Sequence, residues 1–123
     1  MKQDIISKGQ NIKEQKADFS YSIKDSAQLL GIGQDIFKSI LTKFIHGFEK
    51  NIHLLTLYVN NDDFKGLTEL SHRLKGACSN LNISEMVELF QHIEVLSKKE
   101  EKNSYKNELE KINSIYMQLK KII

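Results

Sequence analysis

The chain contains no proline and no tryptophan, a single cysteine, and only six glycines among 123 residues. Proline removes a backbone donor and glycine adds conformational entropy to the unfolded chain, so both interrupt helices. Their scarcity favours long helices over a loop-rich fold. The lone Cys78 excludes an internal disulfide and fits a reducing compartment. No apolar run approaches the ~20 residues of a membrane span. The start, Met1-Lys2-Gln3-Asp4, lacks the hydrophobic block of a signal peptide. A soluble cytoplasmic protein, or the cytoplasmic part of one, is the expectation. An excess of one charge is also lacking: 18 basic residues against 16 acidic ones leave a net +2, too little for a nucleic-acid-binding face. Period-two alternation is absent, so no strand is expected.

What is present is apolar periodicity at steps of three and four. With 40% hydrophobic residues, a chain of this length supports one domain with one core. Residues 1–21 are polar and weakly patterned and read as a leader or linker. A short helix is expected from about Lys24 to Leu30, ended by Gly31-Ile32-Gly33. A long helix follows from about Gln34 to Val59, with Phe37, Ile40, Leu41, Phe44, Ile45 and Phe48 opening its apolar stripe. After the turn cluster Asn60-Asn61-Asp62, a helix ending near Asn80 buries Leu67, Leu70, Leu74, Ala77 and Leu81. Cys78 lies on that apolar side as a small buried hydrophobe.

Asn82, with Glu85 three residues later, matches a capping box and opens the next helix, whose buried face is Met86, Val87, Phe90 and Ile93. Residues 98–102 form a charged connector, and Asn103 or Ser104 caps a last helix with Tyr105, Leu109, Ile112, Tyr116 and Leu119 inside. Short connections make successive helices antiparallel neighbours. The expected fold is therefore all-α: an antiparallel up-down four-helix bundle over residues 22–123, with a short extra N-terminal helix.

The chemistry concentrates in His72-Arg73-Leu74-Lys75-Gly76-Ala77-Cys78-Ser79-Asn80-Leu81-Asn82. On a helix, His72, Lys75, Gly76 and Ser79 share the wet stripe, because residues three and four apart are neighbours. Imidazole is a nucleophile near neutral pH, and a cation one turn away suits an anionic group placed on it. Gly76 costs roughly 1 kcal/mol against alanine inside a helix. Clearance for the ring and for an approaching partner would offset that cost; a kink or close helix packing is the plainer explanation. Taken singly, His72 and Lys75 are ordinary solvated residues. No metal site is expected: His46 and His53 are two turns apart, His92 has no partner nearby in sequence, and Glu-x-x-His ligand pairs do not appear on two facing helices, as a di-iron bundle would need. A Gly-rich phosphate loop is absent, as are a serine-triad order and a reactive-cysteine motif, so ATP-dependent kinase activity is not expected.

The run from Leu70 to Leu81 resembles the pattern of the histidine phosphotransfer (HPt) domain family of multistep phosphorelays: a small residue, His, any residue, an apolar one, Lys, Gly, small residues, then Leu. The likeness extends through Leu30-Gly31-Ile32, the Phe44 helix, Asp62-Asp63-Phe64 and Ile93-Glu94, or roughly Ala27 to Lys98. One departure is Asn82, where the family usually has glycine; asparagine also tolerates left-handed backbone angles.

The resemblance implies that His72 accepts a phosphoryl group through Nε2 from a receiver-domain phosphoaspartate and passes it to another response-regulator receiver. Lys75 would stabilise the bound group, and Gly76 would give clearance. Glu94, 22 residues after His72, would accept from Nδ1 and fix the tautomer; a solvated glutamate is the alternative. Arg73 and Ser79 would make docking contacts or simply be solvated. The implied partners are receiver domains and a hybrid sensor kinase, without nucleic acid or membrane insertion. Mg²⁺ would sit in the partner receiver, this chain needing no cofactor of its own, and a monomer is expected. Two rival classes are a helical adaptor that binds a receiver or kinase without accepting phosphate, and a metal- or haem-binding bundle.

Overall fold

A computed structural model describes residues 19–102 and 105–123, and the described residues form five helices: α1 (Ile23–Leu30), α2 (Gln34–Asn60), α3 (Phe64–Asn80), α4 (Ser84–Lys98) and α5 (Tyr105–Ile122). Most of the expected leader, and the expected caps Asn103 and Ser104, lie outside the described residues. Among the described residues there is no strand, and no helix is long and apolar enough to cross a membrane. α2, α3, α4 and α5 each pack on the next and α5 returns to α2, which closes a four-helix bundle; α1 lies against α2. The all-α bundle with its short extra helix is the expected fold.

Local chemistry sets the helix boundaries. The Ser22 hydroxyl accepts from the Asp25 amide at 3.0 Å and starts α1. Asp63 accepts from the Gly66 amide at 2.9 Å and starts α3. Each such cap satisfies one of the amides that a helix N-terminus leaves free. α2, α3 and α4 end alike, in a residue with left-handed backbone: Asp62 (φ 51°), Asn82 (φ 59°) and Glu100 (φ 57°). At the end of α3 the Ile83 amide donates to the Cys78 carbonyl at 2.9 Å and the Asn82 amide to Ser79 at 3.1 Å, the paired bonds of a Schellman motif.

This geometry corrects the expected capping box. Asn82 does not cap α4; Ile83 holds that position, with no side-chain cap bond. A helix N-cap needs non-helical, usually extended backbone, whereas Asn82 takes the left-handed turn that stops α3. Its amide group instead donates to Ser26 Oγ on α1 at 3.2 Å.

The core follows the apolar stripes, except that Ile40 is exposed and Ala77, Val87 and Leu109 are only half-buried. Ile40 is 45% exposed, because Phe37, Leu41, Ile45 and Phe48 already fill the inward face of α2. Ala77 is only half-buried; Cys78, four residues after Leu74, takes the inward position. Lys98, expected in the connector, is the last residue of α4. At the centre, the Phe48 ring meets Phe90 and Tyr116 at centroid distances of 6.3 and 5.4 Å and joins α2 to α4 and α5. Phe19 and Tyr21 also pack against the core, and the Tyr21 hydroxyl donates to the Leu81 carbonyl, tying the approach to α1 onto the end of α3.

Candidate functional site

α3 and α4 pack side by side over most of their length, and a polar seam runs along one edge of their contact. Thr68 and Ser97 hydroxyls lie 2.6 Å apart, His72 faces Glu94, and Lys75 faces Gln91. The paired numbers rise on α3 as they fall on α4, which is the register of antiparallel helices. The seam therefore brings together residues remote in sequence without any loop taking part.

Glu94 is the centre of this arrangement. Its side chain is only 7% exposed, whereas that of His72 is 69% exposed. Glu94 Oε2 lies 2.9 Å from His72 Nδ1, and Oε1 accepts from Lys75 Nζ at 2.8 Å. Lys75 also donates to Gln91 Oε1 at 2.7 Å, and Lys98 Nζ stands 3.6 Å from Glu94 Oε2. Burial alone would raise the Glu94 carboxyl; bonds from Lys75 and His72, with their charges, outweigh burial and hold it below the usual carboxylate range. An ionised Glu94 is acceptor-only, so the bond to His72 requires the ring proton on Nδ1. In a neutral ring Nε2 then keeps its lone pair, on a side chain that is largely exposed.

Of the six residues singled out by sequence, the fold brings His72, Lys75 and Glu94 into one bonded group. Gly76 follows Lys75 on α3 and is exposed. A Cβ placed there would meet nothing within 4 Å, so the expected clearance for the ring is not needed within the chain, and neither is close helix packing. Only an approaching partner would use that space. Arg73 and Ser79 are exposed on α3, outside the bonded group.

Gln91 and Lys98 belong to the group and were not foreseen. A signal existed: positions 91, 94 and 98 are three and four apart, so a helix carrying Glu94 toward α3 carries both of its neighbours to the same edge.

Another histidine pair lies between α4 and α5, where His92 Nδ1 is 2.6 Å from Glu108 Oε2. These two side chains, with Leu89 and Ile115, line a cavity of about 720 Å³, and His72 lies outside it. A ring on an exposed helix face suits a macromolecular partner better than a small molecule, which needs a concave site. Among the described residues, no group of three or more His, Cys, Asp or Glu side chains is placed to hold a metal ion.

The family model described as Hpt domain matches residues 39–122, a span that includes α3, α4 and α5 and most of α2. Searches of curated proteins and of solved structures return no match. With about two thirds of its length inside that match, and with an exposed histidine on the second long helix of a four-helix bundle, this chain belongs to the Hpt domain family, the histidine phosphotransfer carriers of phosphorelays.

Proposed function

We propose that His72 is the phosphoryl acceptor and that this chain relays the group between receiver domains. One observation carries the reading: an exposed imidazole whose Nδ1 is engaged by a buried carboxylate, leaving Nε2 free. Nε2 attacks the phosphorus of a receiver phosphoaspartate, and the group passes from Nε2 to the aspartate of a second receiver. Lys75, one turn from His72, turns from Gln91 toward the incoming phosphoryl oxygens and offsets their charge. Glu94 orients the ring. The receiver brings Mg²⁺ in its own acidic pocket, so much of the catalytic machinery sits on the partner. The open space over Gly76 admits the edge of that pocket, with Arg73 and Ser79 at its margin. The chain works as a cytoplasmic monomer, without ATP-dependent activity of its own.

The test is phosphotransfer from a phosphorylated receiver, read by intact mass at neutral or alkaline pH, with wild type beside His72→Gln. A phosphate gain in wild type alone supports the reading. No gain from several receivers that demonstrably bind the folded protein replaces it with the adaptor reading.

A further inference from the structure

Glu94 does more than aim the ring. Resting on the reading of His72 as acceptor, we infer that Glu94 keeps the Nδ1 proton on the phosphorylated ring, so that the phosphoryl group stays transferable instead of being stored.

The argument follows the proton through the step. Before transfer, the neutral ring carries its proton on Nδ1, facing Glu94 Oε2 at 2.9 Å. The Nε2 lone pair forms the N–P bond while the P–O bond to the donor aspartate breaks, and that electron pair leaves on the aspartate carboxylate. The ring now has a phosphoryl on Nε2 and a proton on Nδ1, so it is a cation. Two outcomes diverge here. If the Nδ1 proton stays, the N–P pair can return to Nε2 and the leaving group is neutral imidazole. If the proton is lost, the leaving group would be an imidazolate, a much worse one, and the phosphoryl is locked.

Which outcome prevails depends on the charges facing Nδ1. From α4 the ring faces the Glu94 carboxylate, with Lys98 Nζ 3.6 Å from the same oxygen. From its own helix comes Lys75, bonded to the other Glu94 oxygen. The Glu94 side chain is 7% exposed, so its attraction for the ring cation is little screened, whereas that of Lys98 is 65% exposed and strongly hydrated. The balance favours the retained proton. A neutral amide at this position would accept the same hydrogen bond without holding the charge. Once loaded, the group is close to neutral: a doubly charged phosphoryl and Glu94 stand against the ring cation, Lys75 and Lys98.

The experiment loads wild type and Glu94→Gln with phosphoramidate, a small-molecule donor that needs no receiver. Loss of the phosphate is followed by intact mass from pH 5 to pH 9, with helical circular dichroism as the folding control. Both proteins should take one phosphate on His72 and lose it at similar rates at pH 5. The pH at which loss slows should fall by about one unit in Glu94→Gln, which makes its phosphorylated form last about tenfold longer in between. Lys98→Met should move the profile the other way by about twofold, since an exposed cation is screened, and it keeps the idea testable if Glu94→Gln does not fold. Superimposable profiles for folded wild type and Glu94→Gln would overturn the inference and leave His72 as acceptor. Failure of folded wild type to take phosphate on His72, from phosphoramidate and from phosphorylated receivers alike, would overturn both.

Discussion

Asn82 ends α3 in a left-handed turn (φ 59°) and donates its side-chain amide to Ser26 Oγ on α1 at 3.2 Å, so one residue both stops a helix and fastens another. The two roles separate by substitution. Asn82→Ala loses the hydrogen bond, worth about 1 kcal/mol, and also loses the short polar side chain that eases asparagine into the left-handed region, which costs up to about 1 kcal/mol more. Asn82→Gly loses only the bond and regains backbone ease, so it should fall within about 1 kcal/mol of wild type. Urea unfolding of the three proteins should rank wild type and glycine close together, with alanine clearly below.

Two glycines of α3 should respond to alanine in opposite directions. At Gly66 a Cβ would lie 2.8 Å from Tyr58 Cε1 and 2.9 Å from Asp63 Oδ2, so the α2–α3 contact or the helix cap must shift. Overpacking of this kind costs about 1–3 kcal/mol. At Gly76 nothing lies within 4 Å, and alanine should stabilise by up to about 1 kcal/mol through helix propensity. If Gly76 serves the approach of a receiver, the stabilised Gly76→Ala protein should nevertheless take phosphate more slowly from a receiver. Unchanged transfer would remove Gly76 from the site.

The bundle was legible because its apolar stripes repeat at three and four residues over whole helices, and buried positions such as Phe48, Phe90 and Leu119 follow from that period alone. The Glu94 contact was legible only through family resemblance; periodicity shows that Glu94 sits beside Ile93, not that it faces His72. Gln91 and Lys98 follow by helical spacing once the Glu94–His72 contact fixes the register of α4 on α3; without that contact the sequence of one helix does not state what lies across from it. Asn82 was misread for a different reason. Asparagine suits both an N-cap and a left-handed C-terminal turn, and in a three-residue connection the ending of α3 took precedence.

Cys78 should be chemically silent in the native protein. It is fully buried, its sulfur faces Met86 Sδ at 3.7 Å, and burial pushes the thiol up to about 12. The thiolate is the reactive form, so a thiol-specific reagent at pH 8 should label native protein on the order of a hundredfold or more slowly than protein in urea. Rapid labelling without denaturant would show that α3 opens away from α4 in the native state.

The depressed Glu94 carboxyl ties stability to pH in a definite direction. In the unfolded chain this group titrates near the ordinary glutamate value of ~4.3, and in the folded chain below it. Around that pH the unfolded state binds more protons, so the contribution is complete above the unfolded value and disappears as pH falls through the folded one. Glu94→Gln removes the titration but keeps a side chain of the same shape. At pH 7 the substitution should lower stability by about 1–2 kcal/mol, because bonds to Lys75 and His72 lose their charge-assisted part. Other carboxylates titrate alike in both proteins, so the difference between their urea midpoints isolates Glu94. That difference should shrink steadily below about pH 4.5 and vanish under more acidic conditions. A gap unchanged between pH 7 and pH 3 would mean that the carboxylate charge contributes nothing to folding and that the Glu94 side chain acts by shape alone.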